Sequence, residues 1–322
     1  MKRILVSGAF GQIGSELTLA LRQVYGNANV VAADIRPECS QEMRDSGPVE
    51  VLDCTDGKLL ASLVEKYRID SIYHLPALLS AVAEAQPQRA WHLNMGGLME
   101  ALEVARERKC ALFVPSSIGA FGPGTPRDDT PQDTIQRPNT MYGVTKVSGE
   151  LLCDYYHRRF GVDVRGVRFP GIISHQTLPG GGTTDYAVSI YYEAVRKRRF
   201  TCFLKPGSFL DMMYMPDAIK AAIDLMEADP ARLKHRNAFN VSAMSFAPED
   251  ICAAIQKHIP DFQMGYQIDP VRQAIADSWP RHMDDSAARA EWGWKPVWDL
   301  ARMTADMLRV LGARYSFPTQ LG

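Results

Sequence analysis

Tyr142 and Lys146 are the residues of this 322-residue chain whose types and spacing most directly suggest chemistry. In an α-helix, positions i and i+4 lie on the same face, one turn apart, so the phenol and the ammonium would be neighbours. A phenol is a poor base at neutral pH, but a nearby ammonium stabilises the phenolate. Ser116 and Ser117 follow an apolar run, where a hydroxyl can hold a substrate oxygen beside the phenol. These residues predict removal of a proton from a substrate hydroxyl.

A glycine-rich turn near the start of the chain predicts a dinucleotide site. Gly8, Gly11 and Gly14 lie between an apolar run and an amphipathic stretch, as in a strand that turns tightly into a helix. The free N–H groups of such a helix N-terminus can hold a pyrophosphate. Asp34 ends the second predicted strand, where a carboxylate accepts both ribose hydroxyls and repels a 2′-phosphate. The sequence therefore predicts NAD as the hydride acceptor.

Two residues near this site have alternative interpretations. Arg36 can clamp a 2′-phosphate, although we interpret it as a solvated arginine. Asp53 follows the third predicted strand, where it either contacts the adenine amino group or is an ordinary loop aspartate. His74 ends an apolar run, and we interpret it as a packed residue and not as a base.

The elements that must position these residues alternate along the first half of the chain. Short apolar runs predict strands at 3–7, 29–34, 49–52, 71–74, 111–115 and 162–168. Between them, helical patterns cover 13–25, 56–67, 90–108 and 141–160. This alternation predicts an α/β fold with a doubly wound parallel sheet of the Rossmann type.

In the second half of the chain the regular alternation of apolar runs and helical patterns ends, which predicts a smaller C-terminal substrate-binding lobe. Proline and glycine interrupt residues 170–182, and later helical patterns cover 186–198, 216–228, 248–257 and 300–311. We therefore expect residues 1–170 to form the NAD-binding Rossmann domain, with strand and helix returns near 201–241. Residues 171–322 are expected to form mainly the substrate-binding lobe.

Composition restricts the class of partner. With 36 basic and 37 acidic residues, the net charge of -1 gives no electrostatic reason to expect nucleic acid or membrane as a partner. The six cysteines include no CxxC pair, and the seven histidines show no metal-ligand spacing. We expect a small-molecule substrate, no metal ion and, since the chain starts directly on a strand without a signal-peptide pattern, a cytoplasmic location.

Longer segments resemble a known family. The chain is similar to the extended short-chain dehydrogenases, the superfamily that includes UDP-galactose 4-epimerase, and within it to the NAD-dependent L-threonine 3-dehydrogenases. The matching segments are GAFGQIG (8–14), PSSIGAFG (115–122), MYGVTKVSGE (141–150), RFPGIIS (168–174), PGGGTTDYAV (179–188), TCFLKPGS (201–208), MMYMPDAI (212–219) and RQAIADSWP (272–280). The chain departs from the usual pattern at Pro76, where alanine is typical, and at Asp211, where proline is typical.

The resemblance implies a set of site residues. Tyr142 is the expected base, Lys146 its partner and Ser117 the strand-end hydroxyl. Besides the glycines, Asp34 and Asp53, the residues expected to contact the cofactor are Gln12, Ile13, Ile35, Arg36, Leu75, Pro76, Ala77, Asn94, Tyr142, Lys146 and Ile172. The residues expected to contact the substrate are Ser80, Ser117, Tyr142, Gly181, Thr184 and Asp185.

The reaction implied by the resemblance is oxidation of L-threonine by NAD to 2-amino-3-oxobutanoate, a step of threonine catabolism. A UDP-sugar epimerase or dehydratase that uses NAD is the alternative. Asp185 has two expected roles, since it either binds the substrate ammonium or caps the helix that follows. A homodimer paired through the helices at 90–108 and 141–160 is also expected from related enzymes.

Overall fold

The computed structural model describes residues 1–176, 180 and 182–316. Strands within these ranges are numbered in chain order. They are β1 (Ile4–Ser7), β2 (Val30–Asp34), β3 (Val49–Val51), β4 (Ser71–His74), β5 (Ala111–Phe113), β6 (Ser116–Ser117), β7 (Val164–Arg165), β8 (Val167–Phe169), β9 (Gly171–Ile173), β10 (Arg199–Cys202), β11 (Leu210–Tyr214), β12 (Phe239–Asn240), β13 (Met244–Phe246) and β14 (Gln263–Tyr266).

The helices surround these strands. They are α1 (Gln12–Tyr25), α2 (Gln41–Asp45), α3 (Gly57–Tyr67), α4 (Ser80–Ala85), α5 (Pro87–Trp91), α6 (Gly97–Arg108), α7 (Met141–Phe160), α8 (Tyr186–Lys197), α9 (Met215–Glu227), α10 (Pro248–Gln256), α11 (Pro270–Ser278), α12 (Ser286–Trp292) and α13 (Leu300–Ser316). Within the described ranges, no helix is long and apolar enough to cross a membrane.

A six-stranded parallel sheet forms the centre of the fold, in the order β3-β2-β1-β4-β5-β7. The strand order reverses between β1 and β4, and in such sheets ligands bind in the crevice at the carboxyl ends of the strands beside that point. Three small sheets lie beside it, in the orders β12-β8-β6, β13-β11-β9 and β10-β14. The predicted doubly wound α/β fold is confirmed.

Both faces of the central sheet are covered, which explains why its strands are apolar runs without polar alternation. Leu102 of α6 belongs to the core on one face, and Leu17 of α1 with Leu225 of α9 belongs to the core on the other. A third core, with Tyr191 of α8 and Met307 of α13, lies in the second half of the chain. The elements of residues 210–241 pack partly against the core formed with α1.

Two predicted elements are divided in the structure. The strand predicted at 162–168 becomes β7, which pairs with β5, and β8, which pairs with β6 and β12. The helix predicted at 90–108 becomes α5, a π-helical turn at His92–Gly96, and α6. Such wide turns are frequent at functional sites. Here the turn contains Asn94, whose side chain binds the backbone of Leu78 outside the helix.

Candidate active site

The glycine turn joins β1 to α1 as the sequence predicts. Gly8 has a positive φ of 74°, a conformation that side-chain-bearing residues rarely adopt. A Cβ atom on Gly14 would lie 2.1 Å from the carbonyl oxygen of Gly8, so a larger residue would push the helix away from the turn. The first turn of α1 therefore stays close to the loop, with its N–H groups directed to the crevice at the strand ends.

A groove of about 310 Å³ opens at this turn. Most of the predicted cofactor residues line it: Gly8, Gly11, Gln12, Ile13, Gly14, Asp34, Ile35, Arg36, Asp53, Leu75, Pro76 and Ala77. The sequence analysis missed five further lining residues: Leu52, Cys54, Leu79, Leu93 and Pro115. Leu52 and Pro115 follow strand ends, which is the signal that could have identified them.

Asp34 is held in place at the end of β2. Its Oδ2 accepts a hydrogen bond of 2.9 Å from the backbone N–H of Phe10 in the glycine turn. The side chain of Arg36 lies over the carboxylate, with Nε and Oδ1 3.1 Å apart. Asp34 is 6% exposed and Arg36 is 56% exposed. Arg36 is therefore bound to Asp34 and not simply solvated, and its charge lies beside the carboxylate.

Asp53 stabilises its own loop. Its Oδ1 accepts hydrogen bonds from the backbone N–H of Thr55 at 2.9 Å and from the hydroxyl of Thr55 at 2.8 Å. These bonds lower the pKa of Asp53, so the carboxylate form is favoured. The residue lines the groove and makes a loop contact at the same time, so both of its expected roles are compatible with the geometry.

A second pocket of about 160 Å³ adjoins the groove and shares with it Gln12, Ile13, Leu75, Ala77, Leu79 and Pro115. It brings together residues that lie far apart in the sequence: Ser80, Ser117, Tyr142, Lys146, Ile172, Thr184 and Asp185. Trp279 also lines this pocket, and the sequence analysis did not single it out. The predicted contact Gly181 lies outside the described residues.

Helix α7 positions the phenol and the ammonium. Its N-cap is Thr140, whose hydroxyl accepts a hydrogen bond from the N–H of Gly143, so the helix begins immediately before Tyr142. Nζ of Lys146 lies 5.5 Å from the ring centroid of Tyr142 and donates a hydrogen bond of 2.7 Å to the carbonyl oxygen of Pro115. The ammonium is thereby held between the phenol and the strand end that carries the serines.

Ser117 is fixed in the same pocket. Its Oγ accepts a hydrogen bond of 3.1 Å from the N–H of Gly119, which leaves the hydroxyl hydrogen for donation. The ring of Tyr142 packs against Gly119, since a Cβ at that glycine would lie 3.2 Å from the ring. Ser117 and Tyr142 therefore lie beside the same glycine and line the same pocket.

Glu150 extends the row of Tyr142 and Lys146 by one more helical turn, and sequence reasoning missed it. It forms a buried ion pair with Arg168, with Nε–Oε1 and Nη2–Oε2 distances of 3.0 and 2.8 Å. The hydroxyl of Ser116 donates to the same carboxylate. Glu150 thus joins α7 to the strands that carry Ser117, and the i+4 spacing was the signal for it.

Asn94, an expected cofactor contact, lies beside Lys146 and does not line the groove. Its Oδ1 accepts a hydrogen bond of 2.8 Å from the N–H of Leu78, and its Nδ2 donates to the hydroxyl of Thr145 at 3.1 Å. It lines a small cavity behind Lys146, next to the groove. His74 lines the same cavity, and burial together with the charge of Lys146 lowers the pKa of its ring to about 3. It is therefore neutral and packed, as interpreted from the sequence.

The residues before α8 form the far side of the pocket. Asp185 accepts a hydrogen bond of 2.6 Å from the N–H of Gly182, so it caps the short 3₁₀-helix at Thr183–Asp185. Thr184 packs against Gly171 of β9, where a Cβ would lie 2.7 Å from the threonine Cγ2. Ser80 begins α4 and is buried. Asp185 thus caps the 3₁₀-helix that it belongs to and makes no side-chain capping bond to α8, and it also lines the pocket.

The described residues contain no group of three or more histidine, cysteine or acidic side chains that could hold a metal ion. All six cysteines lie within this part of the chain and are free thiols.

Comparison with known proteins is consistent with this geometry. Residues 4–242 match the model of the NAD dependent epimerase/dehydratase family. A Staphylococcus haemolyticus protein described as an uncharacterized epimerase/dehydratase is 58% identical over 97% of this chain and 98% of its own length. The structure of L-threonine dehydrogenase from Clostridium difficile is 57% identical, with a TM-score of 0.96 over 98% of each chain. The holo form of the GalE-like L-threonine dehydrogenase from Cupriavidus necator is 51% identical, with a TM-score of 0.93 over 96% of this chain and 99% of that one.

Proposed function

The chain belongs to the NAD dependent epimerase/dehydratase family, and on that premise we propose that it is an NAD-dependent L-threonine 3-dehydrogenase. It oxidises the 3-hydroxyl of L-threonine and produces 2-amino-3-oxobutanoate. The observation that carries this proposal is the junction of the two pockets, where Ser117, Tyr142 and Lys146 adjoin the glycine-turn groove. The high identity to L-threonine dehydrogenases over almost the whole chain supports the substrate.

The groove fits the proposed cofactor. The close contact of Gly14 with Gly8 keeps the first turn of α1 open to a pyrophosphate, and Asp34 at the end of β2 is placed to accept ribose hydroxyls. When bound, NAD supplies the hydride acceptor for the reaction. Pro76 lines the groove without a backbone N–H to offer, so hydrogen bonds to the cofactor have to come from other residues.

The chain's own residues provide the acid–base chemistry. The phenolate of Tyr142 removes the proton from the substrate hydroxyl, and the ammonium of Lys146 stabilises the phenolate by its charge. The hydroxyl of Ser117 donates a hydrogen bond to the substrate oxygen and fixes it beside the phenol. Glu150 and Ser116 hold the strand end against α7, so the three groups keep one geometry.

The second pocket suits a small amino acid. Ser80, Thr184 and Asp185 offer two hydroxyls and a carboxylate to the carboxylate and ammonium of threonine, and the indole of Trp279 supplies an apolar wall.

We also propose a homodimer and a cytoplasmic location. Helices α6 and α7 expose apolar side chains on one surface: Leu151 is 65% exposed and Tyr155 53% exposed, and Met99 and Val144 lie on the same two helices. Exposed apolar surface of this kind is typical of a subunit interface, and two-fold pairing would bury it. The six free thiols fit a reducing compartment.

NADH formation followed by absorbance tests the proposed function. The panel is L-threonine, L-serine, D-threonine, L-allo-threonine and UDP-galactose, each with NAD and with NADP. We expect L-threonine with NAD to give the highest kcat/KM, and this activity to persist after exhaustive chelation. Turnover of the UDP-sugar with a tightly retained cofactor, and none with threonine, would instead identify an epimerase. Activity that a chelator removes and zinc restores would contradict the mechanism.

A further inference from the structure

Asp211 is a fully buried carboxyl group near the substrate pocket that the proposed mechanism does not use. It lies on β11, with Oδ1 2.8 Å from the hydroxyl of Ser242 and Oδ2 2.8 Å from the backbone N–H of Met283. The next residue on β11, Met212, pairs with Gly171 of β9, which lines the pocket. The carboxyl group therefore lies immediately behind the strand pair that reaches the substrate.

Met283 ends a short segment, residues 279–283, that begins with the pocket residue Trp279. Arg127 holds the first part of this segment, because its Nε donates to the carbonyl oxygen of Trp279 at 3.1 Å and its own carbonyl oxygen accepts from the N–H of Arg281 at 2.7 Å. Asp211 holds the other end through the N–H of Met283. Backbone bonds of Thr130 to His282 and Asp284 hold the same end, so the bond to Asp211 is one of several contacts that position the segment and its indole.

The surroundings of Asp211 disfavour a negative charge. Neither β9 nor β13 carries an ionisable side chain, and the charged group that faces Asp211 is the carboxylate of Asp285. The cations of the neighbouring segment are engaged elsewhere, in the pairs Arg281–Asp128, His282–Asp129 and Arg289–Asp285. Burial raises the pKa of Asp211 to about 8 and Asp285 adds to this effect, while the hydrogen bonds from Met283, Ser242 and Met212 oppose it.

The neutral carboxyl group satisfies all of its hydrogen-bonding atoms. Its O–H can donate to the Ser242 oxygen, since a hydroxyl both donates and accepts, while its carbonyl oxygen accepts from the N–H of Met283. After ionisation, the same site holds a buried charge without a cation. Separation of the 279–283 segment from β11 would expose the carboxylate to water and relieve that cost.

We propose that Asp211 is a positioning residue whose neutral carboxyl group holds the 279–283 segment, and with it Trp279, against the substrate pocket, and whose ionisation loosens this wall. The inference rests on the proposed function, because the step affected is the binding of L-threonine. Ionisation of Asp211 would then weaken threonine binding at alkaline pH, although Asp211 is not one of the catalytic residues.

The test compares the wild type with Asp211→Asn from about pH 6 to about pH 9.5. The amide donates to Ser242 and accepts from Met283 at every pH, so it imitates the neutral carboxyl group. We expect the ratio of the wild-type KM to the variant KM for L-threonine to be constant below pH 7 and to rise above pH 8, by at most about tenfold per pH unit. Titration of threonine itself affects both proteins equally and cancels in the ratio. The kcat values should stay equal, since the chemical step is not touched.

The control is Asp128→Asn, which removes an exposed carboxylate that pairs with the same segment. Its KM relative to the wild type should not depend on pH in this way. A measurement without threonine separates this inference from the proposed function. In the wild-type protein, the amide of Met283 should lose protection from hydrogen exchange above pH 8, after correction for the intrinsic pH dependence of exchange.

Thermal stability should change with pH in the same direction as threonine binding, to the disadvantage of the wild type at alkaline pH. The neutral form of Asp211 is favoured in the folded state, so its stabilising contribution is complete below about pH 4 and is lost as pH rises through about 8. The Tm of Asp211→Asn relative to that of the wild type should therefore increase as pH rises across this interval.

A KM ratio independent of pH, together with a Met283 amide equally protected at pH 6.5 and pH 9, would overturn the inference. If threonine is not a substrate but the amide loses protection, the proposed function fails and the positioning role stands.

Discussion

Glu150 and Arg168 form an ion pair in which both side chains are 7% exposed, and this pair joins the helix that carries Tyr142 to the strand next to Ser117. The closest distance, between Nη2 of Arg168 and Oε2 of Glu150, is 2.8 Å. Gln136 donates to the same carboxylate at 2.9 Å, and the hydroxyl of Ser116 donates to it as well. Because a buried pair of this kind tolerates little displacement, it fixes the distance between the proposed base and the strand-end hydroxyl.

The first prediction concerns this ion pair. Glu150→Ala leaves the guanidinium of Arg168 buried without its counter-charge, and we expect a loss of about 3 to 5 kcal/mol in the free energy of unfolding. Urea denaturation measures it. The control is Asp261→Ala, which removes the acidic partner of Arg198 in a pair that is 61% exposed on both sides and should cost at most about 1 kcal/mol. Equal losses for the two variants would contradict the role given to Glu150.

The second prediction concerns the base. Tyr142→Phe keeps the ring packed on Gly119 and removes the oxygen, so kcat should fall by a factor of about 10² to 10⁴ while NAD binding largely persists. Steady-state kinetics and a cofactor titration measure the two effects. Tyr155→Phe removes a hydroxyl from the same helix at a position that lines neither pocket, and it should leave kcat unchanged. Activity near the wild-type level in Tyr142→Phe would end the assignment.

The third prediction concerns cofactor choice. Asp34→Ala removes both the ribose acceptor and the charge that repels a 2′-phosphate, and it releases Arg36, so NAD should bind more weakly and discrimination against NADP should relax. The ratio of kcat/KM for the two cofactors is the measurement. In Arg36→Ala the carboxylate remains, and the preference for NAD should persist. A wild-type enzyme that prefers NADP would show that Arg36 governs the site.

The fourth prediction concerns substrate binding. Thr184 lines the second pocket and not the cofactor groove, so Thr184→Ala should raise KM for threonine much more than KM for NAD. Thr201→Ala, at an exposed position of β10, is the control. Unchanged kinetics with threonine would show that Thr184 does not bind the substrate, and Ser80 would be the next residue to replace.

The fifth prediction concerns assembly. Leu151→Asp places a charge on the apolar surface of α7, so a dimer of the 35.8 kDa chain should dissociate into monomers. Sedimentation at micromolar concentration measures the mass. Val24→Asp introduces the same charge at a position of α1 that is also exposed, and it should leave the mass unchanged. A wild-type mass of one chain would refute the proposed dimer.

Local spacing was enough to predict the doubly wound fold and the Tyr142–Lys146 row, because strand periodicity, a glycine turn and an i+4 pair are properties of short segments. Segment similarity then indicated the substrate. The sequence did not reveal that Arg36 would bind Asp34, since a side chain two residues away can turn either to its neighbour or to solvent.

Other features depended on contacts between distant parts of the chain. Arg168 reaches Glu150 because β8 leaves the central sheet and pairs with β6. Trp279 lines the pocket because the end of α11 is bound by Arg127, about 150 residues earlier in the chain. Periodicity shows which face of an element is buried, but the identity of the neighbouring element follows from how the helices and sheets pack. The tertiary structure alone therefore decided where the buried charges of the site would meet.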